Sequence, residues 1–187
     1  ELTNRTFLRQ ISSIVDWDFD GFREAFSISA VTEMFYNEFF ELFEQIVAEC
    51  EKRKPEIESY RVRDFATLFT IRTIFLGFVQ KRAWMNEDTK FLENLWKDFL
   101  EGKSEGQEFY VSVLEKLFFE ALNTPFGTKA KNSKLHFEQR IAMTPFLNGG
   151  LFKRRKGVDD LGLVVPNELV KRFFEFLFSH SFTIEEN

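Results

Sequence analysis

The stretch FATLFTIRTIFLGFV, Phe65 to Val79, constrains the fold more than any other part of the chain. Read at helical spacing, it is apolar on every face, and its one charge is Arg72. It falls short of the roughly 18–20 uncharged residues that cross a membrane. A helix with no polar face belongs at the centre of a domain, walled in by other helices. Arg72 must then snorkel to the surface or meet a carboxylate, because an unpaired buried guanidinium is very costly.

The helices that could surround it are visible on either side. SAVTEMFYNEFFELFEQIVAECEKRK has Ser29 as an N-cap, then Val31, Phe35, Phe39, Leu42 and Ile46 at helical spacing. It stops in Lys52-Arg53-Lys54 before Pro55, with cations at the negative end of the helix dipole and then a breaker. The central helix spans about Tyr60 to Trp84. The next runs from Thr89 to Leu100, with Phe91, Leu95, Trp96 and Phe99 on one side and Gly102 as a stop. A fourth, about Gln107 to Leu122, carries Phe109, Val113, Leu117 and Phe118 and ends in Asn123-Thr124-Pro125. From Phe126 to Thr144 the pattern dissolves into a polar, basic loop. Asn167 caps a last helix, ELVKRFFEFLF; LGLVVP before it and SFTI after it read as short strands. Near the start, TFLRQISSIV reads as a short helix and DWDFDG as a turn.

The expected fold is therefore mainly α. It is a bundle of five to six helices with a small β or irregular corner near residues 144–166 and 182–184. The 187 residues read as one helical domain: an approach segment at 1–25, a helical core at 26–123, a basic loop and Gly-Gly corner at 124–165, and a last helix with an exit strand at 166–187. Opening on Glu1 and closing on Glu-Glu-Asn, the chain reads as a piece of a longer protein. Its 26 Phe supply large knobs that bring no polar atom into a core. The single Cys50 leaves no internal disulfide and suits a reducing cytoplasm. It falls on an apolar helix face, where a buried inert thiol is expected.

Charge is unevenly spread. Between Pro125 and Gly157 stand eight cations, Lys129, Lys131, Lys134, Arg140, Lys153, Arg154, Arg155 and Lys156, against one acid, Glu138. That window is +7, which leaves −12 for the rest of a chain whose total is −5. It reads equally as a solvated loop or as an edge facing a polyanion such as the phosphates of double-stranded DNA. Inside it TPFLNGGLF forms a corner: Pro145 turns, Gly149 and Gly150 permit positive φ, and Leu147, Leu151 and Phe152 anchor Asn148 and its neighbours in apolar surface.

No catalytic constellation stands out, so no catalytic, cofactor or metal residue is assigned. His136 and His180 are isolated and make no two-His metal spacing. Asp88-Thr89-Lys90 and Glu101-Gly102-Lys103 match the acid-x-Lys pattern of a metal-dependent nuclease, but both fall at expected helix ends, where such charges belong for dipole reasons. No phosphate-binding loop or dinucleotide fingerprint is present. All four prolines are single, so an Asn/Asp-Pro-Pro-aromatic loop for gripping an extruded adenine is absent from these residues.

TPFLNGGLF, Thr144 to Phe152, resembles the Pro-Tyr-Leu-Asn-Gly-Gly-Leu-Phe signature of type IIG restriction–modification enzymes and related large adenine-specific DNA methyltransferases, with Phe146 in place of Tyr. KLFFEALNTP resembles the Leu-Phe-Phe-Glu-Gly-Leu-Asn segment upstream of it, with Ala121 where Gly is common. IFLGFVQKRAWM, SISAVTEMFYNEFFELFE and SFTIEEN resemble further stretches of that family in the same order. The matching region is the family's helical connector, between an N-terminal nuclease and the methyltransferase core. The resemblance implies a parent enzyme that uses S-adenosylmethionine, and Mg²⁺ where a nuclease is attached. It implies a role for this stretch in positioning neighbouring domains, the methyltransferase domain of the same chain among them. Two other readings stay open: a protein–protein scaffold whose cations meet acids of a neighbour, and a nuclease around Asp88 or Glu101.

Overall fold

A computed structural model describes residues 33–102, 105–124, 135–147 and 150–179. Among these the chain is mainly helical, as expected, and contains no strand. The helices are α1 (Glu33–Arg53), α2 (Ser59–Lys81), α3 (Phe91–Gly102), α4 (residues 109–121), α5 (His136–Ala142) and α6 (Asn167–Ser179), with a short 3₁₀ turn at Gly150–Phe152.

α2 is the axis of the bundle. From Phe65 to Gln80 every residue but Phe75 is buried. A helix enclosed on all sides must absorb its own polar side chains. Thr67, Thr70 and Thr73 do so by donating their hydroxyls to the carbonyls of Arg63, Ala66 and Phe69, one turn back. α1 packs on α2 and α6, burying Phe35, Phe39, Leu42, Phe43, Ile46, Val47 and Cys50, the stripe its sequence period demands. α6 covers α1 and α2 with Phe173, Phe176 and Leu177.

Among the described residues, the buried phenylalanines form one connected core. Phe69 and Phe173 rings stand 5.7 Å apart, Phe35 and Phe176 4.8 Å, and Phe109 meets Phe174 edge-on at 5.7 Å. Trp96 joins them at 4.9 Å from Phe109. Offset and edge-on aromatic pairs contribute about 0.5–1.5 kcal/mol each beyond the area they bury.

The structure corrects several boundaries. α2 ends at Lys81, three residues before Trp84, because Ala83 takes a left-handed φ of 56° and Asn86 and Glu87 follow with 57° and 59°. Gln80 at its last turn then starts the next helix: its Oε1 accepts from the Leu92 N–H at 2.7 Å, and its Nε2 donates to Glu93. α3 begins at Phe91 and includes Gly102 rather than stopping before it. α4 carries two π-helical turns, Tyr110–Leu114 and Leu117–Ala121. Residues 126–144 are not loop throughout, since α5 forms within them and buries Phe137, Ile141 and Ala142. LGLVVP, Leu161 to Pro166, is irregular backbone and not a strand. Its Leu163 and Val165 are nevertheless buried, so the apolar pattern reflects packing without pairing.

Asn167 opens α6 as expected, but its side chain serves another helix. Its Oδ1 accepts from the Phe109 N–H at the start of α4, 2.7 Å away, while Glu108 accepts the Asn167 N–H at 2.9 Å. The two helix starts thus cap each other. Ser29, His180, SFTI and the N-terminal elements lie outside the described residues. No described helix is long and apolar enough to cross a membrane.

Candidate nucleic-acid interface

The corner after α5 and the cations behind it are organised from the core outward. Arg72 projects from the centre of α2 and is 1% exposed. Its Nη1 and Nη2 donate to Asp159 Oδ1 and Oδ2 at 2.6 and 2.8 Å, a two-pronged pair. Its Nε reaches the Leu151 carbonyl at 2.9 Å, and Nη2 also reaches the Lys153 carbonyl at 3.2 Å. Asp159 in turn accepts the Arg155 N–H at 2.7 Å. One buried ion pair therefore fixes the backbone at 151, 153, 155 and 159, and the run KRRK is wrapped around it.

Apolar contacts seat the same turn. Phe152 is buried between Phe75 and Phe118, with ring centroids 5.7 Å from each. Asn123, at the end of α4, donates to the Phe152 carbonyl and to the Phe118 carbonyl. The Leu147 N–H bonds the Leu122 carbonyl at 2.9 Å, so both arms of the corner are tied to α4. Gly150 begins the 3₁₀ turn without a left-handed φ, so the positive φ expected there is not used. The glycine that is needed is Gly157: its φ is +82°, and a Cβ there would stand 3.2 Å from the Arg61 guanidinium, which holds the Gly157 carbonyl with Nε and Nη2.

The structure sorts the cations. Lys153 and Lys156 are exposed on the turn. Arg155 is half-buried beside them. Arg154 is exposed yet engaged: it lies 4.3 Å over the Phe119 ring, reaches the Asp159 carbonyl at 3.2 Å, and faces Glu115 at 3.5 Å. Arg72 approaches Phe119 too, at 4.8 Å. Burial raises the Glu115 carboxyl above its ordinary range, and Arg154 offsets only part of that rise. Arg140 belongs to a separate group: it bridges Asp98 at 2.7 Å and Asp88 at 2.8 Å, holding α5 against α3 and the turn before it. Asp88 also accepts from the Lys90 N–H and from Asn94, and so helps start α3. Lys129, Lys131, Lys134, Asn148 and Gly149 lie outside the described residues. Pro145 and Leu147 are half-buried and Phe146 is exposed.

Sequence reasoning left out Asp159, Arg61, Glu115 and Gly157. The signal for Asp159 was a buried Arg in need of a carboxylate and an Asp pair directly after the cations, but nothing in the spacing joined positions 72 and 159.

No family profile matches the chain, and no solved structure matches it. Over 136 residues, 72% of this chain, it is 26% identical to a Methanocaldococcus jannaschii protein provisionally named a type II restriction enzyme and methyltransferase. The matched stretch spans 11% of that protein's length. The chain is thus similar to a small part of a protein so named.

Proposed function

We propose that this chain is a non-catalytic helical connector of an adenine-N6 DNA methyltransferase or type IIG restriction–modification enzyme. It sets the spacing of the neighbouring domains and leans on DNA phosphates through Lys153, Lys156 and Arg155. The observation that carries this reading is the Arg72–Asp159 clamp, which holds KRRK in one fixed turn on a rigid aromatic core. A solvated loop has no need of a buried ion pair beneath it. Fixed cations gain affinity for a duplex by releasing its condensed counterions, without reading sequence. The relative's name supports the restriction–modification setting. S-adenosylmethionine, and Mg²⁺ where cleavage occurs, would be held by other domains of the parent protein.

The test is the salt dependence of duplex binding by the protein that carries this domain. Replacing Lys153, Arg154, Arg155 and Lys156 with Gln flattens the slope of log affinity against log salt by about 0.9 for each phosphate that is no longer neutralised. An unchanged slope rejects the phosphate-facing role.

A scaffold reading is favoured by one observation: Arg154 and Arg140 already meet acids within the chain. On that reading the exposed lysines meet acids of an adjoining domain. The same replacements then open new protease sites between domains and leave the salt slope alone.

A further inference from the structure

Away from the basic turn, the fold brings together three metal-ligating side chains that are scattered in sequence. Asp98 and Glu101 are three residues apart on α3, so they share a face. His136 is the first residue of α5. One ligand atom from each lies within 4.8 Å of the other two. Asp98 is partly buried, and Glu101 and His136 are open to solvent.

The two helices that carry the three are packed on each other. Phe99, between the two acids, meets Phe137, beside the histidine, with ring centroids 6.2 Å apart at 71°. Arg140, one turn beyond His136, donates Nε to Asp98 Oδ2 at 2.7 Å. That bond occupies one oxygen of Asp98, orients its carboxylate and leaves Oδ1 for a ligand, as outer hydrogen bonds commonly do at metal sites. The guanidinium so close would repel a cation, but Asp88, 2.8 Å from Arg140 Nη1, offsets its charge.

We propose that Asp98, Glu101 and His136 form a binding site for a divalent transition ion of the zinc class. An imidazole with two carboxylates suits Zn²⁺, Co²⁺ or Ni²⁺, whereas Mg²⁺ takes an all-oxygen shell. Three protein ligands leave the fourth position to water. Ligands around such an ion stand about 3.5 Å apart at bond lengths of about 2.0–2.2 Å. Small rotations of the exposed Glu101 and His136 side chains close that distance. The bound ion would staple the C-terminal end of α3 to the start of α5. This site is separate from the phosphate-facing turn and does not depend on its role.

The experiment is a titration of the chelator-treated chain with ZnSO₄, followed by calorimetry and thermal unfolding. The expected result is one equivalent of Zn²⁺ bound, a raised Tm, and no response to MgCl₂ at the same concentration. His136→Ala and Glu101→Gln, both at exposed positions, should each weaken Zn²⁺ at least tenfold with the metal-free Tm unchanged. Absence of saturable binding overturns the proposal, as does full binding by His136→Ala.

Discussion

Arg72 and Asp159 are 87 residues apart and form a fully buried pair, at 1% and 0% side-chain exposure. The pair joins the buried central helix to the turn that carries KRRK. Taking both charges out of water costs much of what their attraction returns, so the pair is better understood as fixing geometry than as adding stability. Losing one partner is different. Asp159→Asn or Arg72→Met leaves a buried charge or buried carbonyls unmatched, and each should cost about 3–5 kcal/mol. Urea unfolding of the chain measures this. Arg72→Met combined with Asp159→Asn should cost less than the two single changes added together, because no lone charge remains.

A second test addresses the shared helix starts. Glu108 takes the Asn167 N–H and also meets Arg53 at the end of α1 at 3.2 Å, while Asn167 takes the Phe109 N–H. Removing a helix-start acceptor costs about 0.5–2 kcal/mol. Asn167→Ala should fall in that range by urea midpoint, and adding Glu108→Ala should cost less than a second independent cap. Strictly additive losses would mean the two side chains act separately.

The sequence made the bundle readable because its information is local. The period of Phe35, Phe39, Leu42 and Ile46 and the uninterrupted apolar run of α2 set which faces are buried. What it hid is held by partners distant in the chain. α5 is one short helix whose burial rests on Phe137 meeting Phe99, so its own residues read as loop. LGLVVP reads as a strand, yet with no strand beside it among the described residues it packs as irregular backbone. The cation count was legible, but the division of labour was not: that Arg140 serves Asp88 and Asp98, and Arg154 serves Phe119, depends on contacts spanning 35 to 52 residues.

Cys50 provides a pH test. Burial pushes its thiol up to about 12, and its Sγ faces the Val164 carbonyl at 3.7 Å. The folded state therefore keeps the proton after the unfolded chain has released it near its ordinary value of 9.0. This contribution is whole below that value and is lost as pH climbs toward the folded value. Against Cys50→Ala, the parent should lose stability faster with rising alkali, by about 1.4 kcal/mol per pH unit inside the window. Comparing urea midpoints of the two chains at pH 8 and pH 10 measures it. Below pH 8 the thiol should resist alkylation until the chain unfolds.

The last prediction separates cations that hold the fold from cations that face outward. Arg140→Ala removes two charged hydrogen bonds to Asp98 and Asp88 and should cost about 1.5–3 kcal/mol in unfolding. It should leave the salt slope of DNA binding untouched, because its guanidinium is already occupied. Lys153→Gln with Lys156→Gln should do the reverse. Both residues are exposed on a turn whose backbone is fixed by Arg72 and Asp159, so stability should stay within about 0.5 kcal/mol. The salt slope should fall by about 2. Asp159→Asn joins the two effects, since loosening the turn weakens DNA binding without removing a cation. If Arg140→Ala flattens the slope and the lysine pair does not, the assignment of roles between the two groups is reversed.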